Sequence, residues 1–187
     1  MPVQYIGSLS RFDSFSPPAS GDGGRDHLLI ILSGPEPQRS ILEDKIIKEV
    51  SQYNGTATIV RGLPGASSFI PSTNMINIYN HLPAEQLHKE MLRAEYMISR
   101  CGYSTVMDIA ALQKKSILIP TPGQTEQGYL SQYLFEKQFA FCVSQKDFSL
   151  ADALAKAKKF SYRFPGINIG QVMQQVVFNF IADLEKK

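Results

Sequence analysis

Six short apolar segments alternate with stretches of helical periodicity along the chain, and this alternation constrains the fold more than any other feature. The first segment, HLLIIL at residues 27–32, is rich in β-forming residues and is shorter than a typical helix. Segments of similar character follow at 56–62, 75–80, 96–99, 116–120 and 140–143. Apolar strands that alternate with helices form a parallel sheet covered on both faces. The sequence therefore predicts an α/β fold, a Rossmann-like parallel sheet with helices on both faces.

The segments between the predicted strands have the apolar spacing of amphipathic helices. In the first of them, Leu42, Ile46 and Val50 recur at a near-helical spacing. The predicted helices cover 39–53, 83–93, 104–113, 127–137 and 149–159. A further helix is predicted from a continuous apolar stripe between Ile169 and Leu184. We expect this stripe to cover its own domain, with its end reaching the other half of a two-domain protein, or to pair two copies where it is exposed.

The first 26 residues are predicted to connect domains rather than to fold as one. Ser, Pro and Gly dominate the segment DSFSPPASGDGGRDH at 13–27, and such a stretch does not build a packed core. We therefore expect residues 1–26 to be a linker from a preceding N-terminal domain and residues 27–187 to form a single folded domain.

Composition and charge exclude several classes of function. Basic and acidic residues are interspersed and the net charge is +2, so the basic stripe of a nucleic-acid-binding protein is not seen. Cys101 and Cys142 stand far apart without a Cys or His cluster, which argues against a disulfide framework and against a metal site. No apolar run reaches the roughly 20 residues of a membrane span, and the N-terminus lacks a signal-peptide pattern. We expect a cytoplasmic protein, with peripheral attachment to the inner face of the membrane left open.

The turn after the first predicted strand is one candidate ligand site. In parallel α/β sheets, ligands bind at the carboxyl ends of the strands, where free N–H groups and the dipole of the next helix attract phosphate. Ser33 and Gly34 end the first strand, and their small size lets a phosphate approach the backbone. An ordinary Gly-Pro loop explains the same residues, and the turn matches neither GxGxxG nor the P-loop pattern.

The turn after the fourth predicted strand is the second candidate. Gly102 permits a close approach, and Ser104 and Thr105 open a predicted helix with hydroxyl and N–H donors. Asp108 lies one turn further on, where a carboxylate can accept hydrogen bonds from the two hydroxyls of a ribose. Thr105 and Asp108 also have the spacing of a T-x-x-D capping box, which needs no ligand. Both interpretations stay open at this point.

This second stretch resembles the C-terminal domain of family 28 glycosyltransferases. The resemblance is carried by SRCGYSTVMDIAALQKKSILIPTPGQTEQGYLSQYL, it is strong over residues 95–135, and it is looser over 1–62. The family has the GT-B fold, in which two Rossmann-like domains bind a nucleotide-sugar donor mainly through the second. The resemblance therefore implies that residues 27–187 are the nucleotide-sugar-binding, C-terminal half of a GT-B glycosyltransferase.

Carried over residue by residue, the resemblance assigns roles within the second turn. Asp108 matches the family's ribose-binding carboxylate, although the usual residue there is Glu. Gly102, Ser104 and Thr105 match the turn beside the diphosphate.

The resemblance also assigns roles outside that turn. Gln127 matches one of two adjacent glutamines that contact the donor sugar, and Gly128 stands in place of the other. Arg11, in a segment similar to the family's interdomain linker, matches a basic residue near the nucleotide. Ser33 and Gly34 hold the place of the family's glycine-rich loop, but prolines replace the glycines that would follow. Because proline cannot donate an N–H bond, phosphate binding at this loop must differ from the family pattern.

For function, the resemblance implies a UDP-sugar-type donor as substrate, no cofactor, and inverting transfer of a hexosyl group to an unknown acceptor. The catalytic base would come from an N-terminal acceptor-binding domain or a partner chain, so the chain is not expected to be active alone. Two alternatives stay open: a non-catalytic donor-binding subunit that works with a separate acceptor-binding chain, and a nucleotide-sugar epimerase. An epimerase would present carboxylates and a histidine to the sugar, whereas the loop at 121–128 offers only Glu126.

Overall fold

The computed structural model describes residues 10–12, 26–164 and 171–185, and of 171–174 and 183–185 it describes the backbone alone. The strands are β1 His27–Ile31, β2 Thr56–Val60, β3 Ile76–Tyr79, β4 Tyr96–Arg100, β5 Ser116–Ile119 and β6 Phe141–Cys142. The helices are α1 Gln38–Val50, α2 Ala84–Arg93, α3 Tyr103–Leu112, α4 Thr125–Glu136, α5 Leu150–Lys159 and α6 Gln171–Glu185. The predicted alternation of strands and helices is confirmed.

The strands form one parallel sheet in the order β3-β2-β1-β4-β5-β6. The register aligns Leu29 of β1 with Met97 of β4, and Ile98 of β4 with Ile117 of β5. Strand order reverses between β1 and β4, since α1 follows β1 onto one face and α3 follows β4 onto the other. Such a switch point leaves a crevice at the carboxyl ends of the two strands, which is where open α/β sheets bind ligands.

Both faces of the sheet are buried, which explains why the strands read as continuous apolar runs. Leu28 belongs to the core that α1 and α5 cover, together with Ile46. Leu29, its neighbour in the chain, belongs to the core on the opposite face, together with Met91 of α2 and Ile109 of α3. Adjacent residues of a strand point to opposite faces, so a strand buried on both sides needs an apolar residue at every position.

Element boundaries differ from the prediction by one to three residues. The second strand was expected to reach residue 62 but ends at Val60, because Gly62 has a φ of 71° that an extended strand cannot adopt. Helix α4 begins at Thr125, two residues before the predicted start, directly after a turn in which the Gln124 N–H donates to the carbonyl of Thr121 over 3.1 Å.

Helix α6 is confirmed as a helix, but its stripe leaves apolar side chains in solvent. Val177, Phe180 and Ile181 are 47%, 63% and 50% exposed. The expectation that the stripe covers its own domain is therefore wrong for these three residues, while Ile169 lies outside the described residues. Among the described residues, no helix is both long and apolar enough to cross a membrane.

Candidate functional site

The N-terminus of α3 is open at the carboxyl edge of the sheet. Gly102 is its N-cap in an extended conformation (φ −88°, ψ 142°), with no side-chain cap and no acidic residue in the first turn. Tyr103 and Ser104 are exposed, and a Cβ atom placed on Gly102 would meet nothing within 4 Å. An uncapped N-terminus presents N–H donors and a positive dipole end, and both favour an anion. The sequence feature with the strongest predicted chemistry thus lies at the switch point.

The capping-box interpretation of this turn is wrong. Because Gly102 is the N-cap, Thr105 is the third residue of the helix and is not placed to cap it. Asp108 bonds to groups distant in sequence rather than to the backbone at the start of α3.

At the N-terminus of helix α1, by contrast, a side chain of the protein itself accepts a backbone N–H bond. The carboxylate of Glu36 accepts a bond from the Ser40 N–H over 3.1 Å and one from Arg39 Nε over 2.5 Å. The Arg39 N–H donates to the carbonyl of Pro35 over 3.1 Å. Ser33 and Gly34 lie at this end of the sheet, with Gly34 at a φ of 103°. Of the two predicted turns, only the one before α3 offers a helix end that no described side chain caps.

Asp108 holds the predicted linker. Its Oδ1 accepts a bond from Ser10 Oγ over 2.8 Å, and its Oδ2 accepts from Nε and Nη2 of Arg11 over 2.8 and 2.7 Å. The side chain of Asp108 is 3% exposed and that of Arg11 is 49% exposed. A ribose would have to displace Ser10 or Arg11 to bond directly to this carboxylate.

Phe12 fixes the same linker segment in the core. Its side chain is buried in the cluster that contains Leu87 and Met91 of α2, and its ring lies 5.0 Å from the ring of His88. The Arg11 guanidinium lies 5.2 Å above the Phe12 ring. Burial lowers the pKa of His88, so its neutral form is favoured beside this apolar contact. Residues 10–12 are therefore packed against α2 and α3.

Gln127, in the first turn of α4, bonds to the loop that follows β5. Its Oε1 accepts a bond from the Thr121 N–H over 2.9 Å, and its Nε2 donates to Oε1 of Gln124 over 2.5 Å. Gly128, on the same helix, has open space where a Cβ would lie. Gln127 lies at the expected edge of the sheet, but its amide already bonds to neighbouring residues.

Arg100 is a candidate that sequence reasoning missed. Its side chain is 2% exposed at the last position of β4, and its Nη2 donates to the carbonyl of Gln38 over 2.6 Å. Burial lowers the pKa of Arg100 to about 10, so the guanidinium still carries its charge at neutral pH. Among the described residues, no carboxylate forms an ion pair with it. The available signal was a basic residue at the end of a central strand that is buried at every position and begins with Tyr96, Met97 and Ile98.

The other buried arginines near this edge are paired, which sets Arg100 apart. Glu43 accepts from Arg61 Nε over 2.6 Å and lies 3.2 Å from Nη1 of Arg39. Arg61 also donates to Oδ1 of Asn80 over 2.8 Å. These bonds fix α1 to the ends of β2 and β3. An unpaired buried cation is costly, so Arg100 contributes a positive charge that no carboxylate in the described part of the chain neutralises.

The site offers electrostatic binding rather than covalent chemistry. Burial raises the pKa of the Cys101 thiol to about 12, so Cys101 stays protonated at neutral pH and is no nucleophile. Within the described part of the chain, no group of three His, Cys, Asp or Glu residues could hold a metal ion.

Fold and site together define a Rossmann-like domain with an open, anion-favouring helix end at its switch point. The chain belongs to the glycosyltransferase family 28 C-terminal domain family, whose model matches residues 71–165. The matched region includes α3 and the first turn of α4, which holds Gln127, so the resemblance inferred from the sequence is confirmed.

Solved glycosyltransferases share this fold. The glycotransferase of kitacinnamycin superposes with a TM-score of 0.58 at 13% identity, over 82% of this chain and 39% of that one. The spinosyn rhamnosyltransferase SpnG complexed with thymidine diphosphate gives 0.54 at 15% identity, over 98% of this chain and 50% of that one. MurG of Acinetobacter baumannii gives 0.50 at 16% identity, over 85% and 48%.

The chain spans between 39% and 50% of the length of these three structures, and at such identities the likeness establishes the fold alone. No curated protein sequence matches the chain.

Proposed function

We propose that the chain is the donor-binding half of a nucleotide-sugar-dependent glycosyltransferase. The observation that carries this proposal is the open N-terminus of α3, at the switch point of a family 28 C-terminal domain. The diphosphate of the donor binds there, to the first-turn N–H groups after Gly102 and to the hydroxyls of Ser104 and Thr105. The dipole of α3 also stabilises the charge that develops on the leaving diphosphate, which is catalysis by a preorganised electrostatic environment.

Two arginines add charge to this site. Among the residues that the structure describes, Arg100 is buried without a carboxylate partner, and an anion near the end of β4 supplies the missing negative charge. Arg11 uses Nε and Nη2 to bond to Asp108, while its half-exposed side chain remains accessible at the edge of α3. Asp108 thereby acts as a positioning residue for Arg11. The ribose contact expected of Asp108 requires that Ser10 or Arg11 move aside when the nucleotide enters.

The donor is a nucleotide sugar, and its nucleotide is a diphosphate of uridine or thymidine. Uridine follows from the resemblance to the family, and thymidine is suggested by the solved complexes of SpnG with thymidine diphosphate and of VinC with DTDP. The reaction is an inverting, single-displacement transfer of a hexosyl group. The catalytic base comes from an acceptor-binding domain, in the same polypeptide or in a partner chain, because the site described above contains no group placed to act as one.

Titration of UDP and dTDP against the protein by calorimetry tests this proposal. Ser104→Glu places a carboxylate in the first turn of α3, where it stabilises the helix by about 0.3–1 kcal/mol and competes with phosphate. We expect at least a roughly tenfold loss of affinity for the nucleotide that the wild-type protein binds, which corresponds to about 1.4 kcal/mol.

Ser104→Gln is the matched control, since it adds the same bulk without the charge and should keep most of the affinity. If wild-type protein binds neither nucleotide, or if the Glu and Gln variants bind equally well, the diphosphate does not lie on α3 and the proposal fails.

A further inference from the structure

Buried arginines near the first turn of α1 outnumber the buried carboxylates that pair with them. Arg39, Arg61 and Arg100 are at most 8% exposed. Among the described residues, Glu43 is the one buried carboxylate that pairs with any of them, and it pairs with both Arg39 and Arg61. Arg39 has a second carboxylate partner in Glu36, whose side chain is 53% exposed. Because buried cations need counter-charge, this excess of positive charge holds the half-exposed Glu36 carboxylate in place.

Glu36 lies beside the crevice at the switch point. It stands two residues before Gln38, the first residue of α1. The carbonyl of Gln38 accepts from Nη2 of Arg100 over 2.6 Å, and Arg100 stands two residues before Gly102, the N-cap of α3. This contact joins the first turn of α1 to the end of β4. A carboxylate therefore lies at one of two neighbouring helix ends, while the other is uncapped.

The Glu36 carboxylate is both ionised and accessible. Its oxygens accept from the Ser40 N–H over 3.1 Å and from Nε of Arg39 over 2.5 Å. Hydrogen bonds from Ser40 and from Arg39 lower the pKa of Glu36, so the side chain carries its negative charge at neutral pH. Residues 33–37 are exposed, so a ligand in the crevice meets this charge at the surface of the protein.

The donor and the product of the proposed reaction differ in charge. Sugar transfer breaks the bond between the anomeric carbon and the terminal phosphate oxygen, which keeps the bonding pair. The acceptor oxygen forms the new bond to that carbon and loses its proton. In the donor the terminal phosphate is esterified and carries one negative charge. In the free diphosphate it has a second ionisation with a pKa of about 6 and carries nearly two charges at neutral pH.

We infer that Glu36 is a specificity-determining residue, which lets the site distinguish the nucleotide-sugar donor from the free nucleoside diphosphate that remains after transfer. The dipole of α3 attracts both ligands, whereas the carboxylate at α1 opposes the additional charge that only the free diphosphate carries. The site therefore retains the donor and releases the product. This inference rests on the proposed function and refines it. At about 8 Å, which is one Debye length at physiological salt, one unit charge changes affinity roughly two- to threefold.

The test compares each free diphosphate with its sugar conjugates in wild-type protein and in Glu36→Gln. UDP, UDP-glucose, UDP-N-acetylglucosamine, dTDP and dTDP-glucose are titrated by calorimetry at neutral pH and low salt, without divalent cations. Glutamine keeps an acceptor for the Ser40 N–H but removes the charge. We expect Glu36→Gln to raise affinity for the free diphosphate about two- to threefold more than affinity for the conjugate. Raising the salt concentration to about 0.5 M should reduce this difference.

Asp152→Asn is the matched control. Asp152 lies in the first turn of α5, its side chain is 57% exposed and it pairs with Lys156, so this variant also removes one exposed, paired carboxylate. The first turn of α5 lies beside the last turn of α1, where the Leu150 N–H donates to Glu49 over 2.5 Å. That end of α1 is about 20 Å from Glu36 along the helix. Asp152→Asn should therefore leave the ratio of the two affinities unchanged.

The outcomes separate this inference from the proposed function. If Glu36→Gln changes both affinities by the same factor, or weakens both, the role assigned to Glu36 is overturned while donor binding by the wild-type protein survives. A lower melting temperature with an unchanged ratio also overturns it, because Glu36 would then act only as a helix cap. If neither wild type nor Glu36→Gln binds a diphosphate or a conjugate, the proposed function fails and this inference fails with it.

Discussion

Removing Arg11 should destabilise the domain more than removing both Arg11 and Asp108. Arg11→Met leaves the Asp108 carboxylate, 3% exposed, without its cationic partner. Loss of one partner from a buried ion pair costs about 3–5 kcal/mol. Arg11 is itself 49% exposed and Ser10 still donates to Asp108, so we reduce that figure to about 2 kcal/mol. In the double variant Arg11→Met/Asp108→Asn no buried charge remains, and we expect a loss of about 1 kcal/mol.

Urea denaturation and thermal melting followed by circular dichroism measure these differences. For a domain of this size, 1 kcal/mol corresponds to about 2–4 °C in Tm, so Arg11→Met should melt about 4–8 °C below wild type and the double variant about half as far below. A double-mutant cycle completed with Asp108→Asn isolates the coupling between the two residues. If Arg11→Met is no less stable than the double variant, the carboxylate does not depend on Arg11, and residues 10–12 are not held as described.

Three further predictions concern single ionisable side chains. Arg100→Met removes a buried cation for which the described residues offer no carboxylate partner, so we expect a stability change of about 1 kcal/mol or less but a roughly tenfold loss of UDP or dTDP affinity. Arg61→Met, by contrast, leaves Glu43 with Arg39 alone and should cost about 3 kcal/mol in the same urea assay, with less effect on nucleotide affinity. Burial lowers the pKa of His27, and the nearby Arg93 lowers it further. The folded state therefore binds a proton less readily than the unfolded state, so stability is full above a pH of about 6.5 and falls as the pH drops below that value. Urea midpoints between pH 5 and 8 should show this slope in wild type and a smaller slope in His27→Gln, and equal slopes would contradict it.

The sheet could be predicted because its information is local. A strand buried on both faces must be apolar at every position, so Leu28 and Leu29 identify β1 without reference to any other part of the chain. The N-terminus of α3 could be predicted in the same way, since Gly102, Ser104 and Thr105 lie close together in the sequence. Both features depend on the spacing of residues that are close in the chain, and the sequence shows that spacing directly.

The contacts that define the site's charge were not predictable in this way. Asp108 and Arg11 are 97 residues apart, and their ion pair depends on how the linker packs beside α3. The burial of Arg100 follows from the position of α1 above the end of β4. Exposure of Phe180 on α6 was also missed, because periodicity identifies an apolar face but does not say what covers it.

The two turns at the switch point contribute unequally to the positive potential of the site. In this chain a Pro-Glu-Pro sequence stands where the family's loop continues in glycines, and the Glu36 carboxylate occupies the N-terminus of α1. That helix end is therefore already occupied by a carboxylate, itself paired with Arg39, and offers a phosphate fewer free N–H groups. The positive potential that remains comes from α3, from Arg100 and from Arg11. A diphosphate bound in this crevice is accordingly drawn toward the end of β4 and the N-terminus of α3.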